Sequence, residues 1–200
     1  MSLSSTNPYK FGRWPKEHLK PNGLPNRPED EPFRHENKFA QQGGNDWNRL
    51  CIGFSGSSLE LSKSLVQKTS NDFDLLYVLK VQRGDVKTGR YEACSLSAEY
   101  MWSLLDRYKG LIENDGRHEL WIRDYAQKET FVIDEHEILY AYGDLPRFIT
   151  SLTKQGFEES ITETPTPHAH HYYPEYDHPS RSFLEELEWK HTPLKEEDKS

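Results

Sequence analysis

Residues 118–142 read HELWIRDYAQKETFVIDEHEILYAY, and this stretch decides the fold class that the sequence predicts. Three runs rich in aromatic and branched side chains, 118–123, 130–133 and 138–142, are separated by short polar connectors. Runs of this length and composition favour β-strands, and connectors this short favour antiparallel neighbours. The stretch therefore predicts an antiparallel β-meander.

Helices and further strands are predicted on both sides of the meander. The apolar run 73–81 indicates a buried strand, and the segments 57–69 and 98–109 show helical spacing after a capping serine. Gly110 is expected to end the second of these helices. A third helix is predicted to begin at Leu145 and to stop at a glycine. The pattern predicts an α+β domain with a mainly antiparallel sheet of about five strands packed by about three helices.

Proline divides the chain into a core and two arms. Residues 1–46 hold six of the twelve prolines, and prolines recur after Thr164. Because proline lacks an amide donor, it interrupts helices and central strands. We predict a core domain over 47–164, an extended Pro-rich arm over 1–46, and a His- and Pro-rich arm over 165–200 with a short amphipathic helix. Both arms carry aromatic residues, which favours arms that lie on a protein surface, their own or a partner's. The alternative for the N-terminal arm is simple disorder.

Charge and composition narrow the classes of partner. The formal net charge is −8, and the core and the C-terminal arm are both acidic, which argues against binding to a nucleic-acid backbone. A basic protein partner is electrostatically easier to accept. The sequence has neither an apolar run long enough to cross a membrane nor the pattern of a signal peptide. Two cysteines are too few for a disulfide scaffold. We expect a cytoplasmic protein that binds neither nucleic acid nor membrane.

Residues 168–178 contain four histidines and two carboxylates. The candidate metal ligands in this segment are His168, His170, His171, Glu175 and His178. Imidazole and carboxylate together suit a divalent transition metal, and in an extended chain His168 and His170 point the same way. Core residues such as His118 or His136 are candidates to complete the ligand set. The alternative interpretation is that these side chains pack on the domain surface with their polar tips in water.

Other motifs predict ordinary structure rather than chemistry. The acidic run 134–137 around one histidine indicates a solvated turn between two strands. The small residues 53–58 predict the turn and cap of the first helix, because the Gly-Lys-Ser/Thr ending of a phosphate-binding loop is missing. Cys51 and Cys94 have no local pattern of a nucleophile. No catalytic residue is therefore assigned.

The sequence is compatible with three hypotheses for function. The favoured one is a non-enzymatic binding or protein-interaction module, which resembles bacterial immunity proteins in its general character or forms a homodimer through its arms. The second is a metal-binding protein that uses the segment 168–178. The third is an enzyme with a site in a cleft between the sheet and the arms, which the sequence does not locate.

Overall fold

The computed structural model describes residues 9–14, 30–67 and 72–199. Within these residues the chain forms an α+β structure with five α-helices, two β-sheets and two short 3-10 helices. The α-helices are α1 (Ser58–Leu65), α2 (Ala98–Arg107), α3 (Lys109–Asn114), α4 (Leu145–Lys154) and α5 (Asp177–Glu185). None of the helices described is long and apolar enough to span a lipid bilayer.

The larger sheet has nine strands. In spatial order they are β10 (Glu158–Glu159), β3 (Lys38–Gly43), β4 (Asn48–Gly53), β9 (Ile138–Tyr142), β8 (Glu129–Ile133), β7 (His118–Asp124), β5 (Asp72–Leu79), β6 (Gly89–Ser97) and β12 (Lys190–Thr192). All neighbours pair antiparallel except β10 and β3, which are parallel. The predicted meander is the consecutive trio β7, β8 and β9.

A smaller sheet joins the two ends of the chain. It has the order β11 (His168–His170), β1 (Phe11–Arg13) and β2 (Glu31–Pro32), and both pairs are antiparallel. Strand β1 of the N-terminal segment therefore pairs with β11 of the C-terminal segment of the same chain. The remainder of the predicted arm, over 1–8 and 15–29, lies outside the described residues.

The prediction of about five strands was too low, and the arms are not irregular throughout. Strands β3 and β12 fall inside the predicted arms and lengthen the sheet at its two sides. Within β3 only Phe39 is buried, so this strand lacks the apolar run by which a strand is recognised in a sequence. Its existence depends on pairing with β4. The domain boundaries themselves, at 46/47 and 164/165, stay a prediction.

Two helix boundaries also differ from the prediction. Gly110 does not end a helix but lies in α3, which follows α2 after Tyr108. Leu111 and Ile112 are both buried in the core, and this burial carries the chain through another helical turn beyond the glycine. The amphipathic helix of the C-terminal arm, predicted over about 181–190, extends instead from Asp177 to Glu185, and Pro179 is tolerated in its first turn.

The two faces of the large sheet have different packing partners. One face packs on the helices and supplies the strand residues of the core, such as Tyr77, Leu120 and Phe131. The opposite face, called the open face here, carries a row of residues aligned by strand register: Cys51, Tyr140, Val132, Trp121, Leu76 and Glu92. Helices thus leave this second face of the sheet available to other groups.

Buried His118 makes the folding stability depend on pH. It begins β7, is 1% exposed and lies with its ring 4.7 Å from the Tyr77 ring. Burial, followed by the positive charges of Lys10 and Arg117, holds the pKa of His118 well below its usual value of 6.5. The unfolded chain binds this proton near pH 6.5 and the folded chain does not, so folding stability is lost as the pH falls below that value.

Urea unfolding of the wild-type protein and of His118→Gln at pH 6 and pH 5 measures this contribution. Between the two pH values, wild type is expected to lose about 1 kcal/mol more stability than the variant. All other titrating groups are common to both proteins, so the difference isolates His118. An identical loss in the two proteins would contradict the prediction.

Candidate metal centre

The turn between β8 and β9 is shaped by Asp134. One carboxylate oxygen of Asp134 accepts hydrogen bonds from the backbone amides of His136 at 2.9 Å and of Ile138 at 2.8 Å. Glu137 adopts a left-handed backbone conformation with φ 58°, which closes the turn. Aspartate is a frequent residue at such positions because its short side chain can bond the backbone two residues on. The turn therefore presents His136 in a fixed orientation.

Strand β11 brings two more histidines to the same place. His168 pairs with Arg13 and His170 pairs with Phe11 in the antiparallel register with β1. Residues two apart on a strand lie on one face, so both imidazoles point toward the turn that carries His136. The fully buried ring of Phe11 lies within 5.1–5.8 Å of all three imidazole rings and packs beside the cluster.

The imidazoles of His136, His168 and His170 form a compact triangle. Their ring centroids are 4.8–5.1 Å apart, and one ligand atom from each lies within 4.8 Å of the other two. Three nitrogens bound to one tetrahedral zinc ion are roughly 3.4 Å apart, given Zn–N bonds of about 2.0–2.1 Å. Side-chain rotations that move each nitrogen by about 1 Å would close the set around an ion.

Hydrogen bonds orient two of the three rings. Nδ1 of His136 lies 3.2 Å from the second carboxylate oxygen of Asp134, and Nδ1 of His168 lies 3.0 Å from the carbonyl oxygen of Pro165. In the neutral tautomer these contacts select, each Nδ1–H donates and each Nε2 keeps its lone pair. Metal-binding histidines are commonly held in this way by a carboxylate or a backbone carbonyl.

His170 supplies a neutral ring with an unused nitrogen. Burial, followed by the charge of neighbouring His136, lowers the pKa of His170 to about 4, so this ring is neutral at pH 7. Its Nδ1 is buried and has no hydrogen-bond partner among the described residues. A buried polar atom without a partner is costly, and a bound metal ion would satisfy it.

The pKa of His136 shifts in the opposite direction to that of His170. Burial lowers the pKa of His136, but the hydrogen bond and the negative charge of Asp134 outweigh burial, so the pKa is raised overall. The same carboxylate that orients the ring therefore favours a positive charge at this position. A divalent cation bound at Nε2 would receive the same stabilisation.

His136 also lines a pocket of about 540 Å³ on the open face. Near this histidine, Lys80 forms ion pairs with Glu119 and Glu135, both of which are largely buried. Burial, together with the neighbouring charge of Glu135, raises the pKa of Glu119. The cluster thus borders a polar cavity through His136.

Only two of the five predicted ligands belong to the cluster. His168 and His170 meet His136, which was named as a residue that could complete the set. Nε2 of His171 instead lies 2.8 Å from an oxygen of Asp30, because adjacent residues leave a strand on opposite sides.

Glu175 and His178 are placed elsewhere. Glu175 is exposed in the 3-10 helix Pro174–Tyr176, and Nδ1 of His178, in α5, lies 3.4 Å from the hydroxyl of Ser182. The other core candidate, His118, is buried against Tyr77.

The turn predicted over 134–137 is present between β8 and β9, but it is not solvated. Asp134, Glu135 and Glu137 are buried, and His136 is half-buried. Phe11 and β11 lie against this turn, and Arg34 pairs with Glu137 at 2.9 Å. The covering groups come from both ends of the chain, so no local pattern signals the burial. The one local signal is the Asp-x-His spacing, which also occurs in exposed turns.

Fold and site together define an α+β protein in which three histidines converge between a turn of the large sheet and a strand of the C-terminal segment. Comparison of the chain with protein-family models, with curated proteins and with solved structures found no match.

Proposed function

We propose that this protein binds a divalent transition-metal ion, zinc in the first place, through His136, His168 and His170. The observation that carries the proposal is the convergence of three imidazoles from two segments more than thirty residues apart in the sequence. Packing alone does not account for an arrangement in which two rings are oriented by hydrogen bonds at Nδ1 and the third keeps a buried nitrogen unused.

The ligand set favours zinc over harder ions. Three imidazole nitrogens suit zinc, copper or nickel, whereas magnesium and calcium prefer oxygen ligands. Asp134 hydrogen-bonds the ring and the backbone amide of His136, so it orients a metal ligand and is not itself a ligand. Its position matches the outer carboxylate of a carboxylate–histidine–zinc arrangement.

Three protein ligands leave one tetrahedral position free. Zinc sites with four protein ligands serve structure, and sites with three keep a position for water or a small molecule. Because His136 also lines the pocket on the open face, a water or small molecule in that pocket would have access to the free coordination position. The proposal is therefore a metal-dependent protein that acts on a small molecule, with the enzyme hypothesis included in it.

The interaction-module hypothesis finds less support in the described residues. Phe11 and Phe39, two aromatic residues of the predicted N-terminal arm, are buried within the chain itself. Strand β1 pairs with β11 of the same chain, so the two arms meet each other. Binding of a separate protein partner, or exchange of arms in a homodimer, stays a prediction.

Metal content and zinc titration of untagged protein test the proposal. Wild type is expected to bind one zinc ion per chain, and His168→Ala/His170→Ala is expected to bind it at least about 100-fold more weakly. The matched control is His171→Ala/His178→Ala, which removes two histidines of the same segment that lie outside the cluster. Equal loss of affinity in both double variants, or substoichiometric zinc in wild type, would contradict the proposal.

A further inference from the structure

The pocket beside the metal centre has the size and the wall of a small-molecule site. Its volume of about 540 Å³ falls within the range of about 300–1,000 Å³ typical of such sites. Trp121, Val132 and Tyr140 provide an aromatic and apolar floor on the open face, and His136 forms part of the wall. A ligand with a flat apolar body would pack on this floor.

One cation of the pocket is unlike the others. Three of its four lysine and arginine side chains are paired with carboxylates: Lys80 with Glu135, Arg90 with Asp198 and Lys195 with Glu197. The fourth is Arg49, which has no carboxylate partner among the described residues. Its positive charge faces the cavity without compensation by an ion pair.

Neutral groups hold the Arg49 side chain in place. Its guanidinium carbon lies 3.9 Å from the centroid of the Tyr140 ring, Nε donates to the side-chain oxygen of Gln42 at 3.0 Å, and Nη1 donates to the hydroxyl of Tyr142 at 3.0 Å. Within the described residues Nη2 has no acceptor. A planar guanidinium fixed in this way is suited to bind an oxyanion through charge-assisted hydrogen bonds.

The other charges of the pocket favour an anion of single charge. Its lining includes five carboxylates: Glu119, Asp134, Glu135, Glu197 and Asp198. Their field opposes a doubly charged phosphate more strongly than a carboxylate. Tyr140 follows His136 by four residues, so at a strand rise of about 3.3 Å per residue their Cα atoms are at most about 13 Å apart. Arg49 and His136 line the same pocket at this separation, so one ligand that fills the pocket would contact both residues.

We propose that this pocket binds a small monocarboxylic acid, with its carboxylate on Arg49, its body on the aromatic floor and its other end at the free coordination position of the metal centre. This inference rests on the proposed function for the last of these contacts only. Arg49, Tyr140 and Trp121 would recognise the acid whether or not the metal is bound.

Ligand-observed NMR with benzoate, acetate and the neutral isostere benzamide tests this inference on zinc-loaded and metal-free protein. Wild type is expected to bind benzoate saturably and more tightly than benzamide, and Arg49→Gln is expected to lose about 10-fold or more of the affinity for benzoate. Arg123→Gln is the matched control. Arg123 lies on the same face with its guanidinium 4.6 Å from the Tyr125 ring and bonds the Tyr125 hydroxyl, but it is outside this pocket.

Several results would overturn the inference: no saturable binding of benzoate to wild type, equal affinity in Arg49→Gln, or equal binding of benzamide. Displacement of benzoate by inorganic phosphate at lower concentrations than by acetate would overturn the monocarboxylate class. Zinc titration of the same samples separates the two proposals. Zinc uptake without benzoate binding overturns this inference alone, whereas benzoate binding through Arg49 without zinc uptake overturns the metal centre alone.

Discussion

Replacing Asp115 by alanine is expected to destabilise the folded protein by about 3–5 kcal/mol. Asp115 and Arg117 are both buried, and the carboxylate accepts two hydrogen bonds from the guanidinium at 2.7 and 2.8 Å. The remaining guanidinium contacts go to Asp177 and to the carbonyl oxygen of Tyr173. Without Asp115, the buried guanidinium of Arg117 keeps Asp177, which is partly exposed, as its carboxylate partner. Removing one member of a buried ion pair costs more stability than the intact pair contributes.

Urea unfolding of three variants measures this effect. Arg83→Ala removes a guanidinium that pairs with the same Asp177 at a partly exposed position, and it should cost less than about 1 kcal/mol. Asp115→Leu/Arg117→Met removes both charges and should recover much of the stability lost in Asp115→Ala. A loss below about 1 kcal/mol in Asp115→Ala would refute the assignment of a buried ion pair.

The same ion pair also positions the metal-binding strand. The amide of Tyr173 donates to Asp115 at 3.2 Å, and the amide of Gly116 donates to the carbonyl oxygen of His171 at 2.9 Å. These bonds fix the chain directly after β11, which carries His168 and His170. Asp115→Ala should therefore weaken zinc binding as well, even at temperatures where the variant is folded.

Replacing His136 by alanine is expected to lower zinc affinity by more than about 100-fold, whereas Asp134→Asn should lower it by about 10–100-fold. His136 supplies a ligand nitrogen, and Asp134 only orients that ligand. The difference between the two variants follows from this division of roles. Asparagine keeps an acceptor for the backbone amides of the turn, so the turn itself persists in Asp134→Asn.

Calorimetric titration with zinc and the shift of the melting temperature by zinc measure both variants. His35→Gln is the local control, because Nε2 of His35 lies 2.8 Å from the carbonyl oxygen of His136 but its ring is outside the cluster. Zinc affinity in His35→Gln should stay within a few fold of wild type. Wild-type affinity in His136→Ala would show that zinc binds at another set of residues.

Local patterns in the sequence predicted the parts of the fold whose partners are close in the chain. The meander β7–β8–β9 and helices α1, α2 and α4 follow from strand composition, helical spacing and capping residues. Ser97 caps α2 through its hydroxyl, as predicted, and of the two candidate caps Ser57 and Ser58 it is Ser57 that caps α1. These features depend on hydrogen bonds within a few residues.

Long-range pairing produced the parts that the sequence did not predict. Strand β12 pairs with β6 about a hundred residues earlier, and β1 pairs with β11 near the opposite end of the chain. Short polar strands of this kind are stable only after the partner strand is in place. A pattern of apolar residues does not mark them, because β12 is largely exposed and β1 has Phe11 as its one large apolar side chain.

In the candidate site, too, local patterns predicted some features and long-range packing determined the others. The alternation rule predicted that His168 and His170 share one face, and the structure places both imidazoles in the cluster. The rule did not identify His136 as the third member or exclude His171, Glu175 and His178, because those outcomes depend on how β11 docks onto the turn. No sequence pattern marked Arg49 as a candidate binding residue, since its lack of a carboxylate partner among the described residues is visible only in three dimensions.

X-ray absorption at the zinc edge, on untagged protein loaded with one equivalent of zinc, tests directly whether the three histidines hold the ion. We expect three imidazole ligands with Zn–N distances of about 2.0–2.1 Å and one further light atom. In His136→Ala the same spectrum should lose one imidazole contribution. A first shell with sulfur, or with oxygen and no imidazole scattering, would contradict a metal centre built from His136, His168 and His170.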